Sequence, residues 1–261
     1  MAATRNSRPS DPLAAVAAAL APRLIEGTRV CIALSGGRDS VALLHALVDL
    51  RATQWPTLRL SALHVHHGLS PQADAWAAFC AQLCLEHAIP FRCERVTVAR
   101  DAPAGLEAAA REARYAAFVA CDTDWLLLAH HRDDQAETLL LNLLRGAGAH
   151  GLSAMPEDRP LATRGPRVLR PLLHTSRAAI HDWLAARGAR WIEDESNSDI
   201  RYTRNFLRRE ILPAIVRRFP GAGGQLAAAA LRFGEASDLL DELAHIDLQG
   251  GASGFPQRLA L

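Results

Sequence analysis

Short runs of Val, Ile, Leu and Ala alternate along the chain with longer segments whose apolar residues recur at helical spacing. Four of the short runs predict strands: Arg29–Leu34, Leu58–Val65, Phe91–Val98 and Trp125–Ala129. They read as nearly continuous apolar stretches, the pattern of strands covered on both faces. Between them, Ser40–Leu50, Gln72–His87, Gly105–Cys121 and Asp133–Arg145 predict helices. A fifth strand is expected at Val168–Leu172 and a helix over Ser176–Arg187. This alternation predicts an α/β fold, a doubly wound parallel sheet of Rossmann-like outline. A breaker cluster, Phe219-Pro220-Gly221-Ala222-Gly223-Gly224, precedes a helical run to about Ala244. The expected organisation is a flexible N-terminus over 1–12, a main domain over 13–217, and the helical start of a second, truncated domain over 218–261.

Composition changes this picture in two places. At 261 residues and 49% hydrophobic, the chain can bury a sizeable core, and no apolar run reaches membrane-spanning length. With no signal-peptide core near its start, a cytoplasmic protein is expected. The five cysteines are dispersed and form no CxxC pair, so the common zinc and redox arrangements find no match. All 29 basic residues are arginine. That excludes a Walker-type GxxxxGK[ST] loop and a Schiff-base lysine, so any amine nucleophile must arrive with a substrate. Net charge is +1, yet six arginines (201, 204, 208, 209, 217, 218) against the single acid Glu210 crowd one stretch. Such a run is either a solvated helix face or a polyanion contact.

The turn between the first strand and first helix is Ser35-Gly36-Gly37-Arg38-Asp39-Ser40. Two glycines permit close backbone approach, successive N–H groups can converge on an anion, and the helix dipole assists. Asp39 cannot help a bare phosphate electrostatically, so it orients the loop or takes part in magnesium binding.

Ligands of an open parallel sheet bind at the strands' carboxyl ends. The second strand ends at His64-Val65-His66-His67, and the fourth at His130-His131-Arg132-Asp133-Asp134. On a helix starting near Asp133, Glu137 shares a face with Asp133 and Asp134, an acidic group suited to magnesium or a cationic substrate. The alternatives are a His/Asp transition-metal site and, for at least one of Asp133 and Asp134, simple helix capping. Arg111 is either a surface partner of Glu107 or a planar donor fork for phosphates.

The SGGRDS loop resembles the PP-loop of the N-type ATP pyrophosphatases, which cleave ATP between its α and β phosphates. Taken with HVHHGL at 64–69, EAAAREARY at 107–115, AHHRDDQAETLLLNLLRG at 129–146 and IEDESNSDIRYTRNFLRREILP at 192–213, the chain is similar to the tRNA(Ile)-lysidine synthetase family. The resemblance implies an ATP- and Mg2+-dependent ligase. It would adenylate the C2 oxygen of the wobble cytidine of tRNA(Ile) with a CAU anticodon, and free lysine would then displace AMP. It implies Ser35, Gly36, Gly37, Arg38, Asp39 and Ser40 on the phosphates, with Asp39 catalytic or magnesium-linked, and His64 and His66 beside the adenine. Arg111 would approach the phosphates, while His130, Asp133, Asp134 and Glu137 would line the place where cytidine and lysine meet. Arg145, Arg201, Arg204, Arg208 and Arg209 would contact the tRNA backbone, and neither membrane nor DNA is an expected partner. Members of the family generally continue into further C-terminal tRNA-binding domains. The related tRNA 2-thiocytidine branch uses CxxC cysteines, which this chain lacks, and a non-catalytic nucleotide-binding module would need neither the acidic group nor the arginine run.

Overall fold

Strand β1 (Arg29–Ala33) shows why the sheet is two-sided: its Val30 and Ile32 enter one apolar cluster while Cys31 enters another on the opposite face. The computed structural model describes residues 11–250 apart from 100, 104, 164 and 196–198. Asn197 and the stretches before Asp11 and beyond Gly250 therefore lie outside the described residues. Before β1 runs helix α1 (Pro12–Leu20), started by the Asp11 side chain accepting from Ala14 N at 2.9 Å and by a proline in the first turn. After β1 come α2 (Arg38–Thr53), β2 (Arg59–His66), α3 (Ala73–Glu86), β3 (Phe91–Arg95), α4 (Leu106–Val119) and β4 (Trp125–Leu127). Then follow α5 (Arg132–Leu144), the single turn α6 (Ala149–Leu152), β5 (Asp158–Pro160), β6 (Arg167–Leu169) and α7 (Arg177–Ala185).

The six strands form one sheet in the order β3-β2-β1-β4-β6-β5, parallel except for β5, which pairs antiparallel with β6. Helices α1, α2, α3 and α7 supply the cluster on one face, and α4 supplies Tyr115 and Phe118 to the other. Side chains alternate between the faces along β4, where Leu127 joins the first cluster and Leu126 the second. The chain moves outward from β1 through β2 to β3, then returns to β4 on β1's other side. That reversal opens a crevice at the carboxyl ends of β1 and β4.

The chain forms two compact units. One comprises residues up to Asp134 together with Glu157–Arg201; the other comprises Gln135–Pro156 and the residues from Tyr202 onward. The boundary expected after Arg217 thus falls inside the second unit. That unit contains α8 (Thr203–Phe206), a π-helical turn over Leu207–Ile211, α9 (Leu212–Arg218) and α10 (Ala222–Gly250). Its core gathers Leu139, Leu152 and Ala230 with Leu226 and Phe233. Among the described residues, no helix is long and apolar enough to cross a membrane.

Candidate active site

The Ser35–Ser40 loop leaves β1 and enters α2 with Gly37 as its N-cap. The loop is braced from within: Ser40 Oγ donates to Gly37 O at 2.9 Å, and the Ser35 and Ser40 hydroxyls lie 3.1 Å apart. It is also braced from outside, because Ile192 N donates to Gly36 O at 2.9 Å and Gly37 bridges to Ile192. Gly36 sits at φ +85°, and a Cβ there would lie 2.5 Å from Ile192 Cδ1 and 3.1 Å from Cys80 Sγ. A positive φ with no room for a methyl group requires glycine. Gly36→Ala is therefore expected to destabilise the chain by about 2–4 kcal/mol, adding strain to overpacking. The accompanying weaker ATP binding would be read by denaturation and by nucleotide titration.

Asp39, in the first turn of α2, is the electrostatic centre of the crevice. Arg38 donates to its Oδ1 from Nε and Nη2 at 3.0 and 2.9 Å, and His131 Nε2 lies 3.5 Å from Oδ2. Burial pushes the Asp39 carboxyl up, but His131 and Arg38 outweigh it and hold it at about 2. His131 is 2% exposed. Burial opposes its charged form, yet Asp134, Asp39 and Asp133 around the ring raise its pKa on balance.

His131 also explains how α5 starts. Asp134 N donates to His131 Nδ1 at 3.3 Å while Asp134 Oδ2 accepts from His131 N at 3.0 Å. This is a reciprocal capping box with histidine where serine or threonine is usual. With Nδ1 accepting, the ring proton sits on Nε2 and faces Asp39. On further protonation Nδ1 becomes a donor towards Asp134 Oδ2, 3.5 Å away.

The three carboxylates of α5 take separate partners rather than forming one open group. Asp133 accepts from Arg177 N at 2.9 Å and so caps α7; Asp134 caps α5 itself. Glu137, in the second unit, receives a fork from Arg208 at 2.5 and 2.8 Å. The capping alternative thus describes Asp134 at the start of α5, while Asp133 bonds the start of α7 and is the most open of the three, its side chain 42% exposed against 12% and 2%.

The β2 end is equally organised. Buried His64 donates from Nδ1 to Leu34 O at 2.8 Å, and burial lowers its pKa, so a neutral ring pins β2 to the base of the loop. His66 Nε2 lies 3.1 Å from Asp74 Oδ1 on α3, which Arg95 also bonds at 2.6 Å. His67 is held neutral, its pKa about 4 through burial, Arg114 and the neighbouring histidines, and its buried Nδ1 has no hydrogen-bond partner among the described residues. His130 is half-buried beside β4's end. Among the described residues no three His, Cys, Asp or Glu side chains converge as a ready-made metal cluster. Burial pushes the Cys80 and Cys84 thiols up to about 12 and about 11, as for packing residues.

Arg111 donates to Tyr115 Oη at 3.2 Å, not to Glu107. Of the arginines expected on tRNA, Arg204 donates to Thr138 Oγ1 at 2.8 Å, Arg208 holds Glu137, and Arg201 holds Asp199. Arg145 and Arg209 are exposed. His131 was not among the expected site residues; its signal was the three-residue spacing to Asp134.

A glycine loop at the head of a helix, seated at the switch point of a parallel sheet, is the arrangement on which nucleotide-binding α/β proteins hold phosphates with backbone groups. Residues 13–215 match the PP-loop domain family, and the chain belongs to that family. The tRNA(Ile)-lysidine synthase of Aromatoleum aromaticum is 50% identical over 248 residues, 94% of this chain and 56% of that protein. That of Chromobacterium violaceum is 51% identical over 218 residues, 84% of this chain and 50% of that protein. The chain thus spans about half the length of the curated relatives it matches. Among solved structures, a U34-tRNA thiolase of Methanococcus maripaludis superposes with TM-score 0.67 at 17% identity, covering 86% of this chain and 78% of that one, a likeness of fold.

Proposed function

We propose that the chain catalyses ATP-dependent formation of lysidine in the cytoplasm, on the wobble cytidine of tRNA(Ile) bearing a CAU anticodon. The observation that carries this reading is the Asp39–His131 approach of 3.5 Å, which joins the phosphate loop to the acidic head of α5. ATP phosphates would lie against the Ser35–Ser40 backbone, with Ser35, Gly36, Gly37, Arg38 and Ser40 as the binding set. The adenine would border His64 and His66. An ionised Asp39 suits a Mg2+ ion shared with phosphates, since Mg2+ is held by one or two carboxylates plus substrate oxygens. The cytidine C2 oxygen would take the α-phosphoryl group as pyrophosphate leaves, and the side-chain amine of free lysine would then attack C2 and release AMP. The chain has no lysine of its own to compete. His130 and the carboxylates Asp133, Asp134 and Glu137 would frame this exchange, with the open Asp133 best suited to meet a cationic amine. Arg145 and Arg209 would add salt-sensitive contacts to the tRNA backbone, joined by Arg201, Arg204 and Arg208 where their internal bonds allow. The names and half-of-sequence identity of the relatives support the reading.

The test is incubation with ATP, labelled free lysine and CAU-anticodon tRNA. Label is expected in the tRNA together with stoichiometric AMP. AMP release without label would leave only the adenylating step.

A further inference from the structure

Three carbonyls at the Ser35–Ser40 loop are taken, each by a different element. Leu34 O accepts from His64 Nδ1 on β2 at 2.8 Å. Gly37 O accepts from Ser40 Oγ at 2.9 Å and from Val41 N at 3.0 Å, both in α2. Gly36 O accepts from Ile192 N at 2.9 Å, and Ile192 lies in the segment that follows α7. Occupied carbonyls matter to an anion cradle, because a carbonyl oxygen aimed at phosphate repels it while an N–H attracts it.

Of these, the Gly36–Gly37 peptide is the one whose direction the loop itself does not fix. A trans peptide carries its C=O and N–H on opposite sides, so holding Gly36 O on Ile192 aims the Gly37 N–H the other way. There it donates to Oγ of the exposed Ser35 at 3.3 Å, beyond the usual N–H···O range and easily exchanged for a charged acceptor. Gly37 rests at φ −71°, ψ 158°, and a Cβ on it would meet nothing nearer than Ser35 Oγ at 3.5 Å. The resting shape would therefore admit a side chain, whereas glycine there keeps open the positive φ that a flipped peptide requires. A flip turns only ψ of Gly36 and φ of Gly37, and glycine tolerates both. The direction of this peptide is imposed from outside the loop.

Ile192 is held firmly enough to impose it. Ala189 and Trp191, just before it, pack on the main core cluster, and the Trp191 ring stands edge-on to His181 of α7 with centroids 5.7 Å apart. Its bridge to Gly37 runs parallel, so this segment lies beside the loop as a strand would. Ile192 Cδ1, Cys80 Sγ and Phe79 Cδ1 crowd the side of Gly36 where a Cβ would stand, at 2.5, 3.1 and 3.4 Å from that point. We infer that Ile192 is a positioning residue: its backbone N–H locks the Gly36–Gly37 peptide so that the Gly37 N–H is aimed at an ATP phosphate. The segment after α7 thereby sets the ATP affinity of a loop far from it in sequence. The inference rests on the functional reading above, in which this loop holds the phosphates of ATP.

The test replaces Ile192 with its α-hydroxy acid, which turns the amide into an ester and removes the N–H while keeping the side chain. Beside it stands Ile192→Val, which trims Cδ1 and keeps the N–H. ATP affinity is read by titration, stability by melting temperature, and pyrophosphate release with CAU-anticodon tRNA over a range of ATP concentrations. The ester is expected to weaken ATP binding about five- to tenfold, the population lost when one hydrogen bond no longer holds the peptide. At saturating ATP its pyrophosphate release should return to within about twofold, because ATP itself selects the aimed peptide. Ile192→Val should lower the melting temperature by about 2–4 °C, much as the ester does, yet weaken ATP binding at most about threefold. Equal weakening by the two variants would make Ile192 a packing residue and overturn the inference. A rate that stays low at saturating ATP would equally overturn it, since a damaged site and not a lost population would then be responsible. If the unmodified chain binds no ATP, the functional reading falls as well; an ester chain that binds ATP as tightly as the unmodified one removes only this inference.

Discussion

Replacing Arg208 with alanine is expected to lower the stability of the second unit by about 3 kcal/mol, because it strands a buried carboxylate. Glu137 is 1% exposed and its two oxygens receive the Arg208 fork at 2.5 and 2.8 Å. The figure belongs at the low end of the range for broken buried pairs because the Arg208 side chain keeps 22% of its exposure and water can partly replace it. The π-helical turn over Leu207–Ile211 is where this pair is made, and Arg204 one turn earlier reaches the adjacent Thr138. Denaturant unfolding would read the loss. The double variant Glu137→Gln/Arg208→Met should recover most of it, since replacing both charges removes the desolvation penalty. A double variant no more stable than Arg208→Ala would show that packing of the arginine stem, not its charge, supports the unit.

The pair also marks what the sequence could not disclose. Glu137 and Arg208 are 71 positions apart, and nothing in either local string names the other. The strands were legible because both faces of the sheet are covered, which writes apolar runs at β1, β2, β4 and β6 into the chain. Their ends shifted by one to three residues where polar edge residues still bond in register, as His66 does with Arg95. Strand β5 escaped because its three residues are polar and end in proline. A proline is tolerated at a sheet edge, and Asp158 is held there by Arg23 and Arg167.

The Ser35–Ser40 turn was readable because its constraints are local: a positive φ at Gly36 and a helix start at Gly37 leave few residue choices. The acidic group was readable only in part. Helical spacing placed Asp133, Asp134 and Glu137 on one helix, α5, but could not name their partners, which come from α7, the α5 cap and the π-helical turn. Nor does local pattern separate His130 from His131. The capping-box spacing to Asp134 does, once histidine is admitted as a cap.

Asp39→Asn is expected to cut pyrophosphate release about a hundred- to a thousandfold, in line with the loss of one preorganised electrostatic group. It should also cost about 2 kcal/mol of stability at mildly acidic pH, the linkage value of a carboxyl held near 2 instead of 3.8. The sign fixes the window. A depressed carboxyl contributes stability that is present above its unfolded pKa of 3.8 and is lost as pH falls through about 2. His131, whose folded pKa is raised above 6.5, contributes below 6.5 and loses its part as pH rises through that higher value. These are two views of one contact, so they are not added. The stability gap between Asp39→Asn and the unmutated chain should therefore be widest from about pH 4 to 6.5 and narrow on both sides. Melting curves across pH would trace it. A gap with this shape but an unchanged pyrophosphate rate would make Asp39 a strut of the loop, with the chemistry then resting on the backbone cradle and the head of α5.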